Sequence, residues 1–225
     1  MTTYIKTFTN HTPAQIQDLF SHAQKISAAL SDANDTIFPK PQACDKTSIS
    51  YDFLLLPSCI LPLLQKGGLS PRILDLAGRA LARIHGQTNG KDALLHADYV
   101  PHNLFSDNRS IYIIDPHPPE YLGYRADLLY GDPAREFYGF IFSLLSDVGL
   151  KHALAHQRTY LTYIRDFMFG YDSLRPRPPL SLLSFYTYAR DVYAIKRRAG
   201  FSRWASSAHC ASAFILSLYA IWRAS

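Results

Sequence analysis

Residues 94–105, LLHADYVPHNLF, set a carboxylate, Asp98, five positions before an amide, Asn103. A second carboxylate, Asp115, follows twelve positions later, at the end of the apolar run Ile111-Tyr112-Ile113-Ile114. These types suit phosphoryl transfer, whose transition state needs an acceptor hydroxyl held in line, a late proton acceptor, and hard cations against the transferred phosphate. Asp98 has the side chain of a base, while Asn103 and Asp115 offer the oxygen ligands magnesium prefers. The chemical rival is a metal hydrolase, with His96, Asp98, Asp115 and His117 as nitrogen and carboxylate ligands to zinc or manganese. That reading has no HxH or HExxH pair behind it and leaves Asn103 without a role. His102 and His117 read as loop residues beside the site.

The flanking sequence supplies the supports. Tyr4 to Phe8 alternates as a short strand, and Thr12-Pro13-Ala14-Gln15 is a capping box with proline at the first helical position. It opens a helix over 13–30, with Ile16, Leu19, Phe20, Ala23 and Leu30 on one stripe. Ser48 to Leu56 is predicted as a buried strand, rich in β-branched and aromatic residues. Ser70-Pro71 starts a second helix, with stripe Ile73, Leu74, Ala77, Leu81 and Ile84 and Gly86 as a left-handed C-terminal cap. Two short strands bracket the polar loop, with a turn at Asp107-Asn108-Arg109, and helical periodicity begins at Ala134. The order predicts an α+β fold with a helical C-terminal half.

LLHADYVPHNLF followed by IYIIDPHPP resembles the catalytic and metal-binding segments of the aminoglycoside phosphotransferase and choline kinase family, which have a protein-kinase-like fold. That family's loop commonly reads His-Gly-Asp-x4-Asn; here Ala97 stands at the glycine position. The likeness runs from about Leu74 to Glu136, through the helix LDLAGRALARIHG and the segment Tyr130-Gly131-Asp132-Pro133-Ala134. It implies a magnesium nucleotide, ATP or GTP, as donor, Asp98 as catalytic base, Asn103 and Asp115 as magnesium ligands, and His96 as a brace for the loop. Asp132 would be a structural acid nearby. Lys6 would be the strand lysine on the nucleotide phosphates, and backbone groups around Leu55 and Leu56 would meet the base edge.

The resemblance divides the chain into a reduced N-lobe, 1–57, and a C-lobe, 58–225, holding the catalytic loop (94–117) and a helical acceptor-binding subdomain (134–225). Two departures stand out. Only five residues precede Lys6, so the glycine-rich hairpin that covers phosphates is expected to be missing, and the 13–30 helix has Asp18 as its only acid. A start codon set downstream, a natural minimal lobe and lost catalysis each account for this. The alternative to a phosphotransferase is therefore a noncatalytic, pseudokinase-like protein that binds a ligand or docks a partner.

At 225 residues, 48% hydrophobic and 18% charged, the chain supports one substantial core or two small lobes and excludes disorder or fibrous repeats. Cys44, Cys59 and Cys210 are too few and too scattered for a disulfide framework or a four-ligand zinc site, and Gly67-Gly68 lacks the rest of a phosphate-binding P-loop. The N-terminus shows no export signal, and the run Cys210 to Trp222 is short for a membrane span, so a cytoplasmic protein is expected.

The +5 net charge is unevenly spread: residues 1–150 carry 12 Lys/Arg and 15 Asp/Glu, residues 151–225 carry 11 and 3. Arg190, Lys196, Arg197, Arg198 and Arg203 cluster around Tyr193, Phe201 and Trp204, which suits an acceptor bearing phosphate or carboxylate, such as a sugar phosphate or a glycan. No nucleic-acid module is present, and nucleic acid is not an expected partner. The terminal stripe Phe214, Ile215, Leu218, Ile221 and Trp222 is expected to dock into the core, with anionic lipid as the alternative contact.

Overall fold

The computed structural model describes residues 3–224. Strand β1 (Thr3–Thr7) leads into helix α1 (Pro13–Leu30), then β2 (Thr36–Ile37), β3 (Pro41–Cys44) and β4 (Ser48–Asp52). β4 lies between β1 and β3 in an antiparallel sheet, with Lys6 opposite Ile49. The α1 capping box forms as its residues predict: Thr12 Oγ1 accepts the Gln15 N–H at 3.3 Å, and the Gln15 side chain accepts the Thr12 N–H at 2.8 Å. The α1 stripe then buries Ile16, Leu19 and Ala23 against Phe8, Ile49 and Tyr51, fixing the helix to one face of the sheet.

β5 (Ser58–Cys59), α2 (Ile60–Gln65) and α3 (Pro71–Gly86) come next, followed by β6 (Thr88–Asn89), β7 (Asp92–Leu94), β8 (Leu104–Ser106), β9 (Ile111–Ile113) and β10 (Tyr130–Gly131). β8 and β9 form a hairpin inside a four-stranded sheet of order β2-β9-β8-β5. The turn closes because the Asp107 carboxylate accepts the N–H groups of Arg109 and Ser110 and Asn108 adopts a left-handed φ of 68°. The remaining chain is helical: α4 (Pro133–Ser146), α5 (Leu150–Ala155), α6 (Gln157–Asp172), α7 (Leu182–Arg198) and α8 (Arg203–Ala224). The α+β expectation with a helical C-terminal half stands.

The larger core is centred on α3, α4 and α6. Phe140 and Phe167 pack at 4.4 Å between ring centroids, and Phe137 and Tyr171 at 4.7 Å. α3 and α6 meet backbone to backbone, since a Cβ at Gly78 would strike the Phe167 carbonyl and one at Gly170 the Asp75 carbonyl. Glycine is required at both crossings.

Three expectations change. The 48–56 strand ends at Asp52, because the chain beyond it runs unpaired toward Pro57, with Leu55 86% exposed. Gly86 is the last helical residue and has no left-handed backbone; α3 ends instead through Gln87, extended at φ −82° and ψ 129°. α8 is longer than its apolar run, because alanines and serines extend it to 22 residues. By length and composition alone it is long and apolar enough to cross a membrane.

Candidate active site

The twelve-residue gap between Asn103 and Asp115 is the β8–β9 hairpin, which returns the chain to its start. The Ile114 N–H donates to the Asn103 carbonyl at 3.1 Å, so the two proposed metal ligands flank the base of one hairpin. Asn103, buried in a single 3-10 turn, donates through Nδ2 to the Asp98 carboxylate at 2.8 Å and to the Asp98 carbonyl at 3.0 Å. Both amide hydrogens are thereby directed at Asp98, leaving Asn103 Oδ1 as the acceptor end.

Asp98 is pushed up to about 7, first by burial and then by the Asp115 charge, with the Asn103 hydrogen bond pulling the other way. Asp115 forms an ion pair with Lys6 Nζ, so β1 and the end of β9 are bridged by opposite charges. Acids from α1 do not enter this pair: Asp18 accepts the Tyr124 hydroxyl at 2.9 Å. Asp115 and Ala97 have left-handed backbones, φ 57° and 79°, which side-chain-bearing residues adopt at a cost of about 1–3 kcal/mol each. The strain at position 97 gives a reason for a glycine there.

Glu136, in the first turn of α4, holds the strained loop. Its carboxylate accepts the N–H groups of His96 and Ala97, both at 2.8 Å, and receives His85 Nε2 at 3.0 Å. Burial pushes its pKa up, but the His85 contact and these bonds outweigh that and hold it below the usual range. His85, at the end of α3, also meets the Tyr171 hydroxyl at 2.9 Å, and the Tyr99 hydroxyl donates to the Ala77 carbonyl at 2.8 Å. His96 is wholly buried and packs edge-on to Tyr99, 5.4 Å between centroids. Its ring faces the backbone of Asp98 and Ile114, contacts looser than strict hydrogen-bond geometry that oppose the larger lowering of its pKa by burial, so it sits between the segments that carry the two carboxylates. Asp132 is the N-cap of α4, accepting the Ala134 N–H at 2.9 Å and the Ser184 hydroxyl. The backbone N–H groups of His96 and Ala97 are held by Glu136 rather than by Asp132.

Sequence reasoning missed Glu136 and His85 in these roles, and also His22. His22 is buried on α1, with Nε2 2.7 Å from the Leu95 carbonyl and Nδ1 3.1 Å from the Pro116 carbonyl. A carboxylate at the start of a strongly apolar helix, PAREFYGFIF, was the available signal for Glu136.

Two cavities flank the carboxylates. One, of about 300 Å3, is lined by Tyr4, Lys6, Phe53, Leu56, Asp115 and His117, among others, so Lys6 and Leu56 share one cavity with Asp115. The exposed Leu55 side chain is outside its lining. The other, of about 50 Å3, is lined by Asp98, Leu122, Arg135, Tyr188, Asp191 and Ile195, among others. Arg135 Nη2 donates to Asp191 Oδ2 at 2.5 Å across it. The basic group Arg190, Lys196, Arg197, Arg198 and Arg203 is not in this lining; α7 turns Tyr188, Asp191, Val192 and Ile195 toward Asp98 instead.

No protein-family model matches the sequence, and no curated protein matches it. The chemistry is therefore read from the site itself.

Among the described residues, no group of three or more His, Cys, Asp or Glu is placed to hold a metal, so the four-ligand hydrolase set does not assemble. His96 is enclosed, and His117 Nε2 meets the Tyr51 hydroxyl at 2.5 Å. An amide oxygen and one carboxylate still fit magnesium, which binds through one or two protein oxygens, water and substrate phosphates.

Proposed function

We propose that this chain is a small-molecule phosphotransferase with a kinase-like arrangement, moving the terminal phosphoryl group of a magnesium nucleotide, ATP or GTP, to an acceptor hydroxyl. One observation carries the reading: Asp98 and Asp115, coupled in charge, each line a different cavity. Donor and acceptor spaces on either side of a base and a metal-type carboxylate are what in-line transfer requires. Asp98 orients the hydroxyl and takes its proton. Asn103 and Asp115 would hold magnesium, which supplies charge neutralisation on the transferred group. Lys6 grips the nucleotide phosphates, and the unpaired 53–56 segment offers backbone groups to the base. On the acceptor side Arg135 is the lining cation, so an anionic sugar or glycan would compete with Asp191 for it.

The test is magnesium-dependent binding of ATP and GTP, with turnover over sugars, sugar phosphates, amino alcohols and aminoglycosides, for the wild type, Asp98→Ala and Asp115→Ala. Wild-type protein that binds no metal nucleotide would sink this reading. The second reading, a noncatalytic nucleotide-binding protein, is favoured by the Lys6–Asp115 pair, which already neutralises the metal-type carboxylate. It predicts nucleotide binding without turnover and no effect of Asp98→Ala.

A further inference from the structure

Helix α8 is apolar on two faces. Its buried positions include Ser206, Cys210, Ala213, Ser217 and Ala220, mostly small side chains that let it lie close to its neighbours α4, α6 and α7. Phe214, Leu216, Leu218 and Ile221 pack on the core with them, while a second set of large apolar residues is turned to solvent, with Trp204 86%, Ile215 65%, Tyr219 39% and Trp222 71% exposed. With the exposed Ala208 and Ala211 they form the series 204, 208, 211, 215, 219, 222, which averages one residue per helical turn. The result is a straight apolar stripe about 27 Å long. A core helix in water keeps its outer face polar, and an exposed apolar stripe of this length marks a contact surface. The sequence stripe is split between the two faces: Phe214, Leu218 and Ile221 dock on the core as expected, and Ile215 and Trp222 are outside.

Charge selects the occupant. From residue 192 to the C-terminus there are five Lys or Arg and no Asp or Glu. Arg203 and Arg223 bracket the stripe, and Lys196, Arg197 and Arg198 form the last turn of α7 beside its start. Phe185 and Phe214 stack at 4.6 Å, fixing α7 antiparallel to α8, so the basic turn of α7 lies at the Trp204 end. A second copy docked by two-fold symmetry would set one basic segment against another. An anionic bilayer answers both features: acyl chains and headgroups take the aromatic stripe, and phosphates take the cations. The buried small-residue face keeps α8 on the protein, so the helix lies in the membrane plane.

We propose that the α8 face docks on anionic lipid, seating the protein peripherally. This rests on the surface alone and stands or falls independently of phosphoryl transfer. Trp204 and Trp222 are the protein's two tryptophans, so intrinsic fluorescence reports the stripe directly. With the full chain, vesicles of phosphatidylcholine plus phosphatidylglycerol should shift tryptophan emission to the blue and allow quenching by brominated acyl chains. Pure phosphatidylcholine should do neither. In co-sedimentation, Arg203→Glu/Arg223→Glu and Trp204→Ala/Trp222→Ala should each weaken binding by about tenfold or more. No quenching in wild-type protein, equal binding to neutral vesicles, or a concentration-dependent blue shift without lipid, which is the signature of a second copy on the stripe, would each overturn the proposal. The wild-type measurements decide it even where a variant misfolds.

Discussion

His22 Nε2 lies 2.7 Å from the carbonyl oxygen of Leu95. Its other ring nitrogen faces the Pro116 carbonyl, so one imidazole from α1 spans the two segments that carry Asp98 and Asp115. Both partners only accept, and a neutral ring donates once, so the shorter contact marks Nε2 as the protonated nitrogen.

Replacing His22 with Leu should cost about 1–3 kcal/mol by urea unfolding, through unpaired buried carbonyls, while His22→Gln keeps a donor and recovers part of the loss. Burial lowers His22 to about 4, and also lowers His96. Between about 4 and 6.5 the unfolded chain therefore binds more protons at His22, so its contribution to stability is present above that window and is lost on acidification, and His96 acts with the same sign. His22→Gln should flatten the acid limb of the stability curve. An unchanged limb would contradict the assignment.

Asp98 acts with the opposite sign. Held at about 7, it keeps a proton in the folded state that the unfolded chain releases from about 4 upward, so its contribution to stability falls as pH rises through that interval. Asp98→Asn should remove this slope. The same change should lower turnover by about 100- to 10,000-fold, and wild-type kcat/KM should climb with pH toward a plateau above about 7. Full activity of Asp98→Asn would show that Asp98 is not the base.

Glu136→Gln turns an amide N–H toward backbone donors that now meet a carboxylate. A loss of about 3 kcal/mol is expected, with turnover falling even in the fraction that stays folded, as the loop no longer has both its anchors. Urea unfolding followed by single-turnover assays separates the two effects.

Ala97→Gly should stabilise the chain by about 1 kcal/mol, because the left-handed backbone at φ 79° is strained for alanine and free for glycine. Thermal melts of the two proteins test this, and a lower melting temperature for the glycine variant would mean the alanine methyl has a packing role.

Local signals carried the scaffold into view from the sequence. The Thr12–Gln15 box and Pro13 marked the start of α1, and the Asp107-Asn108 turn marked the hairpin that closes the site. Asp98, Asn103 and Asp115 were legible because a loop and a hairpin keep them near in sequence. Glu136, His85 and His22 were not, since their partners lie 40, 51 and 73 residues away and a buried polar side chain leaves no periodic trace. That the basic C-terminal cluster lies outside the Asp98 cavity was hidden for a related reason: composition registers charge but not which side of α7 faces Asp98.

The glycine crossing of α3 and α6 has a consequence for how the protein can be made. Its contact spans 89 positions, from Gly78 to Phe167, and α3 is the helix from which Tyr99 and, through His85, Glu136 are hung. A nascent chain released before α6 has emerged would lack the surface that α3 closes on, so the loop bearing Asp98 can mature only late in synthesis. A fragment ending shortly after Pro116 would contain Asp98, Asn103 and Asp115 and the His22 bridge between their segments, but neither Glu136 nor the α6 surface on which α3 closes.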